Sequence, residues 1–465
     1  MLSPLHQSAR QHPTAIALMA NGRGISYRNL SQQVLALGTQ LRNAGLHAGD
    51  KLACIAGNCA ELVKLYWACV DNGLLFCPLS PKFPDSQLEG LMQRFAIQYL
   101  WCPDDARQPL WQTRQRLNLN FALTANSTAP EIALDTAVDI ILTSGSSGTP
   151  KAAMHSLAGH IANAEGSRSL IALQTGDGWL ASLPLFHIGG VAIINRCALA
   201  AATTVLPDSS LSLAQQLKRD PISHLSLVAT QLQQLLDEAP NSLLLIKYLL
   251  LGGSAISQSL LDRLQPLDMQ VFTSYGMTEM GSQITTGPVR TDGSSGKLLP
   301  GRQLQIRDNI IWVRGETLFL GYLQDDGSVD KATDESGWFC SKDRGFLDEQ
   351  GRLHIQGRAD NMFICGGENI QPEEVEAALK LHPDILEAIV FPAPDLKFGY
   401  LPSAIVRTRS RELPDAQEIK AFLSQYIAAF KRPRRYYAWP AIDQTGLKVQ
   451  RQQIIAQVAA GTDPH

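Results

Sequence analysis

Residues 139–156, DIILTSGSSGTPKAAMHS, run from an apolar stretch into small hydroxylated residues and glycines, meet a lysine, and return to apolar character. The pattern predicts a strand, a flexible loop and a second strand. Gly145 and Gly148 let the backbone turn its N–H groups inward, while Thr143, Ser144, Ser146, Ser147 and Thr149 add hydroxyl donors and Lys151 a fixed positive charge. A lone glycine pair reads as a surface turn, but five hydroxyls and a lysine within nine residues read as a cradle for a polyphosphate. The usual mononucleotide loop is G-x-x-x-x-G-K followed by Ser or Thr, whose hydroxyl holds magnesium. Here Ala152 and Ala153 follow Lys151, so a magnesium ligand has to come from elsewhere.

A chain of 465 residues exceeds one ordinary core and predicts two or more domains. Net charge is −3, so no overall field favours nucleic acid or an anionic membrane. Eight cysteines are scattered without a C-x-x-C pair, the pattern of reduced core thiols, and neither a signal peptide nor an apolar span near twenty residues is seen. The expected location is cytoplasmic, without a membrane anchor. A homo-oligomer is compatible with the sequence, which does not set the subunit number.

Before residue 139 the chain alternates helical and strand patterns. Tyr27 to Ala44 is helical, and Gly73 to Leu79 reads as a strand. After the loop, WLASLPL reads as a strand running into Phe186, His187, Gly189 and Gly190, where the histidine is either packed core or pocket wall. Arg196 is the one charge in the helical run GGVAIINRCALAAA, so it either snorkels to solvent or meets an anion. Ser226 opens SLVATQL, a strand turning into a helix. LLLGGS is a buried strand that delivers Gly252, Gly253 and Ser254 to its C-terminal end, where ligands of parallel sheets sit. The next strand ends in SYGMTEMGS. There Tyr275 offers a face to a purine, Gly276 permits backbone approach, Thr278 offers a hydroxyl to phosphate, and Glu279 can ligate magnesium through oxygen. Residues 294–357 read as short strands between glycine turns, a small β-barrel or distorted sheet. Pro372 starts a helix with acidic residues in its first turn, and the basic run KRPRRYY is either a solvated face or a contact for the 3′-phosphate of coenzyme A.

In order, these motifs resemble the adenylate-forming superfamily of acyl-CoA synthetases, peptide-synthetase adenylation domains and luciferases. Within it, SLPLFHIGG, the single Arg196, HLSLVATQL, GWFCSKDRG and GGENIQPEEVE look most like the ligases that act on o-succinylbenzoate in menaquinone biosynthesis. The resemblance implies a large N-terminal domain (1–357) of two α/β subdomains plus a small β-barrel, a hinge (358–360), and a smaller mobile α+β C-terminal domain (361–465). It implies ATP, Mg²⁺ and coenzyme A, with formation of an acyl-adenylate and then a thioester. His187, Thr278, Glu279 and Lys448 would be catalytic, with Glu279 on the metal. Asp343 would grip the ribose, with Arg358 beside the nucleotide. His187, Arg196 and Ser226 would face the carboxylic acid, and Asp360 would be the hinge. Two departures stand out: the family's TGD is Ser341-Lys342-Asp343, and Leu447 intervenes where glycine commonly precedes the lysine. An aryl- or medium-chain acyl-CoA synthetase shares every motif, and a non-catalytic nucleotide-binding module is the alternative of a different class.

Overall fold

The computed structural model describes residues 1–103, 114–143, 150–227, 229–252, 258–267, 269–290, 292–365, 368–395, 399–410, 412–427, 429–440 and 451–461. Its helices form where local chemistry favours them. Tyr27–Asn43 begins where the Ser26 hydroxyl accepts from the Asn29 N–H, and Leu30, Val34, Leu37 and Leu41 recur on its buried face. Ala60–Asn72 is buried almost all round and stops at Gly73, whose φ of +64° lies in the left-handed region.

Two mixed sheets dominate. One has nine strands, with Gly178–Leu180, His224–Leu227, Tyr248–Gly252 and Gln270–Met277 side by side in parallel. It then turns antiparallel through Ser282–Pro288. The other has eight strands, in which Lys51–Ile55 and Leu75–Leu79 run parallel and Ala137–Thr143 forms an antiparallel hairpin with Lys151–Ser156. A single apolar cluster joins them, drawing Leu18 from the first sheet, Leu52, Phe76 and Ile141 from the second, and Leu37, Trp67 and Val191 from helices. The expected small β-unit takes the sheet form: Arg302–Arg307, Ile310–Gly315, Phe339–Leu347 and Leu353–Arg358 pair antiparallel in linear order.

Beyond residue 360 a three-stranded sheet combines Ile385–Asp395, Gly399–Thr408 and Arg435–Ala438 with the helices Pro372–Leu379, Ala416–Leu423 and Arg451–Gly461. Its core draws only on Phe363 to Val458, whereas every other described core cluster ends at or before Leu353. All eight cysteines are free, and no described helix is long and apolar enough to cross a membrane.

Two sequence expectations need correction. WLASLPL pairs as a strand only over Gly178–Leu180. The Asn58 amide captures the rest of the segment, donating to the Ala181 and Leu183 carbonyls at 2.7 and 2.9 Å and accepting from Leu185 N–H at 2.8 Å. The strand from Gln270 does not break at Ser274 but continues to Met277, carrying Tyr275 and Gly276 inside the ladder.

Candidate active site

The Gln270–Met277 and Ser282–Pro288 hairpin is where the candidate residues converge. Tyr275 donates its hydroxyl to Asp343 Oδ2 at 2.5 Å, joining the proposed purine and ribose contacts. Arg358 reaches Asp343 Oδ1 at 3.1 Å and holds both oxygens of Asp360 at 3.0 Å, so one guanidinium links this pair to the expected hinge. Burial keeps the Asp343 carboxyl above its ordinary range despite these partners, while the Arg358 hydrogen bonds hold Asp360 below it.

Thr278 and Glu279 occupy the single 3₁₀ turn, Thr278–Met280, that directly follows the strand. Two contacts from the eight-stranded sheet fix it. His155 approaches the Thr278 carbonyl through Nε2 at 2.8 Å, with its Nδ1 2.8 Å from the buried Asp139. Tyr322 donates to Glu279 Oε1 at 2.5 Å, and Lys151 Nζ stands 4.7 Å from the Tyr322 ring centroid. Burial, reinforced by Glu279, raises the Tyr322 phenol, which therefore stays a donor. Thr143 and Lys151 face each other as the last ladder pair before the loop. Both phosphate-type signatures thus meet through Lys151, Tyr322 and Glu279. Ser144, Gly145, Ser146, Ser147, Gly148, Thr149, Gly253, Ser254 and Lys448 lie outside the described residues, and Gly252 pairs with Ser274 at the end of its strand.

Arg196, expected to face the carboxylic acid, is buried, at 6% exposure. Its NH2 donates to Asn163 Oδ1 at 3.0 Å and Gln283 Oε1 at 2.6 Å, and its Cζ lies 5.3 Å from the Trp179 ring centroid. Such burial excludes a solvent-seeking side chain. Desolvation lowers its pKa to about 10, still well above neutrality, so it remains a cation. Ser226 is buried, and its hydroxyl accepts from Trp179 Nε1 at 3.0 Å, which locks the ring that faces Arg196. His187 is exposed and packs edge-on against Phe186 at 4.9 Å between centroids; it stands at the N-cap position of the Ile188–Leu199 helix that carries Arg196 rather than on the hairpin.

Two glycines have reasons other than ligand approach. A Cβ on Gly276 would lie 2.0 Å from the Ser282 carbonyl oxygen, and one on Gly190 would lie 2.3 Å from that of Pro184. In the SKD departure, Lys342 takes the left-handed φ of +61° that glycine favours, at a cost of about 1 kcal/mol, while Asp343 keeps its register opposite Arg358. Lys431 from the basic run is paired with Glu374 at 2.7 Å, which favours the structural face over a phosphate contact.

Sequence reasoning missed Asn58, Asp139, His155, Asn163, Gln283 and Tyr322. One signal was available: Asp139 and His155 are polar residues in the two apolar arms of a hairpin, and the ladder pairs them.

The AMP-binding enzyme family matches residues 5–323, and its C-terminal domain matches residues 374–448. The chain belongs to the AMP-binding enzyme family. This AMP-binding enzyme is 33% identical over 441 residues to a 2-succinylbenzoate-CoA ligase of Salmonella typhimurium, covering 95% of this chain and 94% of that protein. Among solved structures it resembles o-succinylbenzoate CoA synthetase (MenE) from Bacillus subtilis in complex with the acyl-adenylate intermediate OSB-AMP, with a TM-score of 0.88, 27% identity, and coverage of 100% of this chain and 99% of that one. The same Bacillus enzyme in complex with ATP and magnesium ion gives a TM-score of 0.87 at 27% identity, covering 98% and 99% of the two chains.

Proposed function

We infer that this chain is an ATP-dependent acid:CoA ligase that activates 2-succinylbenzoate as its adenylate and then forms the coenzyme A thioester, a step of menaquinone biosynthesis. The observation that carries the choice of acid is Arg196, a buried cation held by two neutral amides. The substrate has two carboxylates, of which one reacts and the other has to be held. A buried guanidinium is the natural partner for the second, directly or through water.

The donor chemistry at the phosphate end fits magnesium. Glu279 supplies hard carboxylate oxygen, and its Oε1 is oriented by Tyr322. Bound there, the metal would offset phosphate charge. Lys151 adds fixed charge at the base of the loop, Thr278 a hydroxyl, and Tyr275 with Asp343 the nucleoside end. The acid's carboxylate attacks the α-phosphate, pyrophosphate leaves, and the thiol of coenzyme A then displaces AMP. Lys448 countering charge in the first step and Asp360 as the pivot between steps complete the reading, with the N-terminal domain ending near 357 and the lid spanning 361–465.

Pyrophosphate release measured over aromatic and aliphatic acids, with and without coenzyme A, tests the activity. Arg196→Ala is expected to raise KM for 2-succinylbenzoate about 10- to 150-fold while leaving KM for ATP unchanged, because a charge-assisted contact is lost. Equal KM values for the acid would remove Arg196 from the site. Asp360→Pro, which fixes φ near −65°, is expected to slow the two half-reactions by unequal factors, and equal slowing in separate adenylation and thioesterification assays would count against the pivot.

A further inference from the structure

Arg196 has a neighbour of the same sign. Arg302, also buried at 5% exposure, spends its donors on main-chain carbonyls: Gln283 at 2.9 Å, Pro300 at 2.7 Å, and Ala162 and Asn163 at 3.3 Å each. Arg302 thus fixes the main chain of the two residues whose side-chain amides hold Arg196. Burial, with repulsion from Arg196 added and attraction from Glu316 opposing, lowers the Arg302 pKa to about 10, so it too stays charged. Among the described residues, neither guanidinium has a carboxylate within ion-pair distance. Two donors at the same place, Arg196 Nε and Asn163 Nδ2, are buried without an acceptor. Buried charges are ordinarily paired, and buried donors are ordinarily satisfied.

Carboxamides at 163 and 283 solve a specific problem. A carboxylate at either position would bind Arg196 with the same geometry and neutralise it. An amide oxygen orients the guanidinium without cancelling its charge. Gln283 is itself oriented, donating from Nε2 to Thr286 Oγ1 at 2.7 Å, which turns its oxygen toward Arg196.

We propose that Gln283 and Asn163 are specificity-determining positioning residues, which keep Arg196 aimed but electrostatically uncompensated so that the second carboxylate of a dicarboxylic substrate completes the site. The proposal rests on Arg196 being the partner of that second carboxylate. It adds that the discrimination between diacid and mono-acid resides in the neutrality of these two amides, with Arg302 holding them in place.

The test is Gln283→Glu, assayed by pyrophosphate release with 2-succinylbenzoate and with 2-butanoylbenzoate and 4-oxo-4-phenylbutanoate, the two mono-acids that each keep one of its carboxylates. The variant is expected to lose at least about 10-fold in kcat/KM for the diacid. The loss should fall on the diacid, so the ratio of diacid to mono-acid activity drops with it. The unfolding midpoint should hold or rise, because the new carboxylate pairs the buried Arg196 cation. A merely structural role for Gln283 would lower activity on all acids together and lower the midpoint as well. An unchanged diacid-to-mono-acid ratio in Gln283→Glu, with that ratio collapsed in Arg196→Ala, overturns this proposal alone. An unchanged ratio in both variants overturns the assignment of Arg196 instead. If Gln283→Glu does not fold, Asn163→Asp puts the same charge on the other amide, and its ratio decides between the same outcomes.

Discussion

Lys448→Ala is expected to slow pyrophosphate release from acid and ATP at least about 100-fold, the usual cost of losing a preorganised donor at developing transition-state charge. Thioester formation from a pre-made acyl-adenylate and coenzyme A should stay nearly intact. Arg451, three positions on, opens the Arg451–Gly461 helix and stands 2.6 Å from Glu376, which anchors that helix to the C-terminal unit. A lysine carried by that unit matters to ATP only when the unit closes over it. A solvated lysine would contribute roughly 0 to 1 kcal/mol, at most about fivefold, so the two expectations do not overlap. Normal adenylation by the variant would move the catalytic cation to Arg432, Arg434 or Arg435, since Lys431 is already paired with Glu374.

Asp139→Asn is expected to cost about 3–5 kcal/mol of stability near pH 5.5, because it strips the carboxylate from a fully buried ion cluster. Asp139 lies 2.8 Å from His155 Nδ1 and 2.6 Å from His160 Nε2. Burial alone would raise its pKa, but the two imidazoles outweigh burial and bring it to about 2. That contribution is present above the unfolded value of about 3.8 and fades as pH falls toward 2. For His155, burial is outweighed by Asp139, and the folded pKa rises above 6.5. Its contribution is complete below 6.5 and is lost as pH rises through the folded value. Urea unfolding of parent and variant at pH 3, 5.5 and 8 should therefore give the largest difference at the middle value, and a difference that stays level would mean a neutral cluster. The variant also frees the His155 ring beneath the Thr278 carbonyl, so adenylation should weaken with it.

Chemistry concentrated in one stretch was legible in the sequence. The hydroxyls and Lys151 predicted a hairpin with a polar loop, and the strand arms fall at Ala137–Thr143 and Lys151–Ser156. Arg196 stood out because charge is rare in an apolar helix. Partners supplied from far along the chain were hidden. Tyr322 is 43 residues from Glu279, in a segment legible only as short strands, and Gln283 is 87 residues from Arg196, directly after a motif whose own residues absorbed the reading. The open order of the small sheet was one of the two forms the sequence allowed, but the early end of the Gly178–Leu180 strand was equally hidden. That early end depends on Asn58, more than a hundred residues upstream, whose amide satisfies the backbone groups that a ladder would otherwise have paired.

The seam near residues 357–373 is built almost wholly from polar contacts. Arg358 meets Asp343 and Asp360, the Gln371 amide donates to the Arg358 carbonyl at 3.0 Å, and Asn361 donates to Glu373 Oε1 at 2.6 Å. Because no described apolar cluster crosses this seam, turning one unit against the other would expose little hydrocarbon to water. A transition of that kind carries a small heat-capacity change and a nearly straight temperature dependence, unlike unfolding. Its equilibrium would answer chiefly to ionic strength, since exposed charge pairs are screened over about 8–10 Å at physiological salt. Dissolved electrolyte, more than warmth, would then set how readily the enzyme passes from its first half-reaction to its second.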